Sequence, residues 1–247
     1  MDRWIGKTAV VTGASAGIGA AISVALANAG VNVVGLARRV EPIDGLKSQV
    51  RGGGTITPVK CDVSSSEEVA AAFRQVNESN GGVHILVNNA GVFLNGEITD
   101  VGNNMMSEKD LLATIDINLK GPVLCARHAV NCMKNNGFDG HVVNINSIAG
   151  HYVPFSSTFN VYPSTKYAIT AFTAGLSNEL ADHKNKIKVT SVSPGLVATE
   201  LAGVAVHTGL PALRPQDVAD AVLYVLSTPP NVSINELTIT PVTEKRL

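Results

Sequence analysis

The chain has 247 residues, 45% of them hydrophobic and 16% charged, with a formal net charge of −1. That length and balance suit a single α/β domain with a sizeable core and exclude a disordered or fibrous chain. Near-neutrality gives no general pull toward nucleic acid or an anionic membrane, and no apolar run reaches the roughly 18–20 residues that span a bilayer.

Met1 to Lys7 shows no signal-peptide core and leads straight into a strand. Thr8-Ala9-Val10-Val11 is a short β-branched run of the kind buried in parallel sheets. Thr12-Gly13-Ala14-Ser15-Ala16-Gly17-Ile18-Gly19 follows, then an alanine-rich helix from Ala20 to Ala29, with Gly30 as its C-terminal glycine. A glycine turn between strand and helix can serve simply for close packing. It also lets the backbone approach a pyrophosphate while the helix N-terminus presents free N–H groups, which makes Gly13, Ser15, Gly17, Ile18 and Gly19 candidate dinucleotide contacts. The second strand, Asn32 to Ala37, ends in Arg38-Arg39. Two guanidinium groups where NAD-binding chains place an acid predict a grip on a 2′-phosphate, hence NADP.

Ile56 to Cys61 reads as a third strand, at a sheet edge because of Pro58. Ser64 to Glu68 supplies caps and acids for a helix through Asn77. Val83 to Val87 is a fourth strand ending in Asn88-Asn89-Ala90-Gly91, and after a polar connection Glu108 to Cys132 reads as one long helix. Gly140 to Ile145 is the fifth strand, a helix from Tyr162 to about Asp182 follows, and Ile187 to Val192 is the sixth. A helix from Pro215 to Ser227 and a strand from Glu236 to Thr240 complete the pattern. Strict alternation predicts one α/β domain over residues 1–247, a Rossmann fold with a doubly wound, seven-stranded parallel sheet and helices on both faces. In such a sheet ligands bind beyond the carboxyl ends of the strands, and there stand Gly13 to Gly19, Asp62, Asn88 to Gly91, Ser147 and Pro194-Gly195.

Tyr162 and Lys166 lie four residues apart on one helix face. An ammonium beside a phenol favours the phenolate, which offers an acid and base for carbonyl–alcohol chemistry. Alone, such a pair is usually plain surface. The six histidines show no metal-ligand spacing, so no metal is expected. Cys61, Cys125 and Cys132 form no C-x-x-C motif, and the absence of a leader fits a reduced, cytoplasmic setting.

Taken in order, the Thr-Gly turn, Asp62-Val63, Asn88-Asn89-Ala90-Gly91, Asn118, Ser147 and Tyr162-x-x-x-Lys166 resemble the short-chain dehydrogenase/reductase family from Lys7 to the last strand. The resemblance implies that Tyr162 is the general acid/base and that Ser147 hydrogen-bonds the substrate oxygen. Lys166 lowers the Tyr162 pKa and holds the nicotinamide ribose, and Asn118 supports a water relay to that lysine. It sets Asp62 and Val63 beside the adenine, and Asn89, with Ala90 and Gly91, along the adenosine ribose. Pro194, Gly195 and Val197 to Glu200 fall at the nicotinamide end, with Thr199 near its carboxamide. It further implies a homodimer or homotetramer built on the Asn118 and Tyr162 helices, whose outer faces would carry Cys125, Ala129, Ala171 and Ala174.

The chain departs from the family pattern in having Asn146-Ser147 where two serines are common, in its long Ser147–Tyr162 interval, and in Ile234 to Val242 in place of a glycine-rich end. Within the family these features look most like insect NADP-dependent farnesol dehydrogenases and the related vertebrate cytosolic carbonyl and ketosteroid reductases. Bacterial and yeast 3-hydroxy acid dehydrogenases share the tail. The expected substrate wall is His151, Tyr152, Val153, Phe155 and Phe159, faced by Leu201, Val204 and Leu210. It is mostly apolar, and the nearest cation in sequence is Arg214. A small apolar alcohol or carbonyl therefore fits better than a hydroxy acid, and a non-catalytic cofactor-binding scaffold, the remaining alternative, commonly loses the Tyr or the Lys that this chain keeps.

Overall fold

The β-branched runs become strands and the segments with helical apolar spacing become helices in the computed structural model, which describes residues 1–153, 156, 158–201 and 210–244. The strands are β1 (Thr8–Thr12), β2 (Asn32–Ala37), β3 (Thr55–Lys60), β4 (Ile85–Asn88), β5 (His141–Ile145), β6 (Lys188–Pro194) and β7 (Glu236–Ile239). They form one seven-stranded sheet in the order β3-β2-β1-β4-β5-β6-β7, with every pairing parallel. Pro58, which has no N–H to give a ladder, sits opposite Gly35 in β3 at the sheet edge. This is the expected Rossmann fold, and the order reverses between β1 and β4, where a doubly wound sheet opens its ligand crevice.

The helices are α1 (Gly17–Asn28), α2 (Glu41–Leu46), α3 (Ser66–Asn80), α4 (Glu108–Ile115), α5 (Gly121–Asn135), α6 (Val161–Asp182) and α7 (Pro215–Ser227). One apolar core joins α1, α2 and α7 to one face of the sheet, through Leu26, Ile43 and Val222 among others. A second joins α3, α5 and the end of α6 to the other face, through Phe73, Met133 and Leu180. Ser65 caps α3 by accepting the Glu68 N–H at 3.2 Å, as its sequence predicts.

Three expectations are corrected. Helix α1 starts at Gly17 rather than Ala20, so the glycine turn supplies its first N–H groups. The long helix is broken into α4 and α5 by a π turn over Asp116–Lys120. Pro122 is the physical cause: it has no N–H for the carbonyl four residues back, that of Asn118, and its ring crowds that carbonyl. Finally, Cys125 and Ala129 do not face outward. Both are wholly buried against the sheet, whereas Ala171 and Ala174 of α6 are exposed.

Candidate active site

The carboxyl ends of β1, β4, β5 and β6 converge on a cavity of about 940 Å³. Its floor is the glycine turn. Gly13 has φ +67°, and a Cβ there would come within 2.9 Å of the Ala90 backbone; Gly17 has φ +53°. Only glycine fits both demands. Ala16, the N-cap of α1, offers no side-chain oxygen, so the first-turn N–H groups stay open to an anion. These features fit a dinucleotide pyrophosphate. Gly13, Ser15, Gly17 and Ile18 all line the cavity; Gly19 does not. A Cβ on Gly19 would collide with the Gly13 carbonyl and the Asn89 amide, so this glycine serves helix–strand packing.

At the other end of the crevice, Asp62 and Val63 line the wall beside Arg38. Burial opposes the Asp62 charge, but hydrogen bonds from the Ser64 hydroxyl (2.7 Å) and N–H (2.9 Å), with Arg38 and Lys120 nearby, hold its carboxyl below the usual range. Arg39 is exposed and lies off the cavity lining. Asn89, Ala90 and Gly91 line the cavity, yet the Asn89 amide is spent on the turn, donating to the carbonyls of Thr12 (2.9 Å) and Gly13 (3.3 Å).

Ser147, Tyr162 and Lys166 line the same cavity between β5 and α6. Tyr162 shares a hydrogen bond with Ser147, which favours its phenolate, although burial as the larger effect raises the phenol pKa above its ordinary value. Burial likewise pushes Lys166 down to about 8. The ammonium donates to the Ile145 carbonyl at 3.0 Å and stands 5.6 Å from the centre of the Tyr162 ring. Asn118 is buried behind the cavity. Its side chain accepts the Val92 N–H (2.8 Å), donates to the Val92 carbonyl (2.9 Å) and reaches Thr165 of α6 (3.3 Å). It thereby ties the strand-end loop to the helix that carries Tyr162. Asn146, expected to be structural, donates to Thr170 at 2.9 Å; its buried Oδ1 has no protein partner.

Pro194, Gly195, Val197 and Thr199 line the far wall, and Tyr152, Phe159, Leu201 and Leu210 also line the cavity. His151 is not among the lining residues; its Nε2 lies 2.9 Å from Ser193 Oγ of β6 and 3.5 Å from the Glu236 carboxylate of β7. Phe155 and Val204 lie outside the described residues. Several lining residues escaped the sequence reading, Phe93, Thr243 and Glu244 among them. Phe93 packs edge-to-face at 4.9 Å against both Phe159 and Tyr162. Its place two residues after Asn89-Ala90-Gly91 was the available signal. Among the described residues no His/Cys/Asp/Glu group could hold a metal.

A dinucleotide cradle opening onto a Ser–Tyr–Lys cluster defines a Rossmann-type oxidoreductase. A family model described as short chain dehydrogenase matches residues 7–208, and the chain belongs to that family. It is 48% identical to a farnesol dehydrogenase of Aedes aegypti over 99% of this chain and 100% of that one. It is 39% identical to dehydrogenase/reductase SDR family member 11 of Mus musculus, covering 98% and 96% of the two chains. Among solved structures it resembles the closed form of a serine dehydrogenase complexed with NADP+, with a TM-score of 0.85, 31% identity and 96% of each chain covered.

Proposed function

We propose that this oxidoreductase uses NADP and interconverts an apolar alcohol with its aldehyde or ketone, an isoprenoid alcohol such as farnesol or a steroid being the substrate class. The observation that carries this reading is the apolar part of the lining of the cavity that holds Tyr162. It is built from Phe93, Tyr152, Phe159, Leu201 and Leu210, and among the described lining residues the cations are Lys166 and, at the adenine end, Arg38. Arg214, the nearest candidate partner for a hydroxy acid, is paired with Asp217 at 2.7 Å. The likeness to a relative named farnesol dehydrogenase supports the same class, and the NADP+ complex of the serine dehydrogenase supports the cofactor.

When bound, the nicotinamide supplies or accepts the hydride. Gly13, Ser15, Gly17 and Ile18 hold the pyrophosphate, Arg38 the 2′-phosphate, Asp62 the adenine side, and Val197 and Thr199 the nicotinamide end. Ser147 donates a hydrogen bond to the substrate oxygen, and Tyr162 exchanges the proton with it. Lys166 holds the cofactor ribose and favours the Tyr162 phenolate through its charge. Asn118 keeps the loop and helix around them in place. The enzyme acts as a homo-oligomer in the cytoplasm. Incubating purified protein with NADP+ or NAD+ and a panel of farnesol, steroid alcohols and 3-hydroxybutyrate, followed by reduced-cofactor absorbance, tests the reading. Turnover of farnesol or a steroid with NADP+ is expected. A preference for 3-hydroxybutyrate would replace this reading with a hydroxy acid dehydrogenase.

A further inference from the structure

After β7 the chain makes a turn, closed by the Glu244 N–H on the Pro241 carbonyl at 3.0 Å, that folds back over the end of β6. The Gly195 N–H donates to the Ile239 carbonyl at 2.8 Å and pins the two strand ends together. Both Glu244 carboxylate oxygens then face the Leu196 N–H, at 3.2 and 3.3 Å. Gly195 makes room for them, because a Cβ there would overlap the carboxylate. The turn thus brings an acid into the wall of the cavity that holds Ser147 and Tyr162, next to the strand end that flanks β5. Glu200 also lines this wall but is exposed, where solvent and salt screen its charge. Glu244 is half-buried, so its field is screened less.

We infer that Glu244 determines specificity: held on the Leu196 amide in the wall of the same cavity, its carboxylate admits neutral alcohols and carbonyls and rejects substrates that carry a carboxylate of their own. The inference rests on the reading that substrate occupies the cavity beside Tyr162. Two carboxylates in one cavity repel each other, and among the described lining residues no arginine stands at this end. Burial, which raises the Glu244 pKa despite the Leu196 N–H, is consistent with a charge confined in that way.

Octanol and octanoate share a chain and differ in the anion, and their binding to the NADP+-loaded protein is measured by calorimetry, without turnover. Wild type is expected to bind octanol roughly 10-fold or more tightly than octanoate, the scale of one unscreened like-charge contact. Glu244→Gln keeps the size and the acceptor for Leu196, so octanol affinity should stay within about twofold while the gap narrows at least about fivefold. Glu244→Lys should reverse the order. Equal binding of the two ligands by wild type, or an unchanged ratio in a folded Glu244→Gln or Glu244→Lys protein, overturns the inference. A protein that shows the expected ratios but oxidises no alcohol would refute the proposed reaction and leave this specificity role standing.

Discussion

Single atoms decide the chemistry at this site. Tyr162→Phe removes the phenol oxygen and leaves the ring that Phe93 packs against. We expect kcat to fall by about 10²- to 10⁴-fold, the range of a general acid/base group, with NADPH affinity nearly unchanged. A variant keeping more than about a tenth of wild-type kcat would remove Tyr162 from that role. The two arginines after β2 are not equivalent, since Arg38 borders the cavity and Arg39 does not. Arg38→Ala should weaken NADPH binding roughly 10-fold, the worth of one charge-assisted bond, and Arg39→Ala less than about threefold. NADH affinity should change in neither, and the Arg38 effect should shrink in high salt. Fluorescence titration with both cofactors separates these outcomes; equal losses from the two variants would show that the arginines act together.

The elements that hold these atoms follow closely from sequence where a local signal is strong. The β-branched runs of β1, β2, β5 and β6 and the capping serine of α3 announce themselves, and so does the cluster of motifs at the strand ends. What stayed hidden depends on how loops return to the site. Phe93 and Glu244 reach the cavity from irregular segments, and His151 finds Ser193 and Glu236 only once β6 and β7 are paired. Arg38 and Arg39 look alike as letters, and only the direction of the chain after β2 tells them apart. The π turn was readable in principle from Pro122, but apolar periodicity runs through it and masks the break. Pro122→Ala would return an N–H to the Asn118 carbonyl and let α4 run smoothly into α5. Stability should hold or rise, because alanine favours a helix. A loss of roughly 10- to 100-fold in kcat is expected, the cost of a small displacement of a catalytic scaffold. Thermal melts and steady-state rates on the same protein check both halves of that expectation.

For the whole molecule, the buried histidines at the end of the sheet away from the cavity set its acid limit. Burial, with Lys188 and Arg3 nearby, lowers His141 to about 3, and burial, with Lys7 nearby, lowers His84 to about 4. Between those values and the ordinary 6.5 the unfolded chain binds protons that the folded one refuses. The stability these two histidines contribute is therefore complete above pH 6.5 and falls as the pH drops, by about 1.4 kcal/mol per pH unit for each such group as an upper bound. Urea unfolding at about pH 7 and pH 5 should differ by up to roughly 2 kcal/mol from His141 alone, and His141→Gln should remove most of that part. The exposed side of the molecule carries its own prediction. Leu112 and Ile115 of α4 and Tyr167, Ala171 and Ala174 of α6 are exposed on two helices in contact with each other, which suits docking of a second copy. Sedimentation should give at least twice the 25.7 kDa chain mass, and Leu112→Glu should reduce it to one. A wild-type monomer at micromolar concentration would dismiss that interface.

The all-parallel sheet also governs how the chain gets there. No two neighbouring strands are joined by a hairpin, and β1 meets β4 only after β2 and β3 have been laid down on its other side. Every ladder must close a long loop before any hydrogen bond rewards it, so contacts are distant in sequence and refolding is slow. During that search the apolar strands stand unpaired, and the protein's hazard is aggregation on the way to the native state. The crossovers that assemble a crevice from opposite ends of the sequence are the same ones that make its first formation the vulnerable moment in the protein's life.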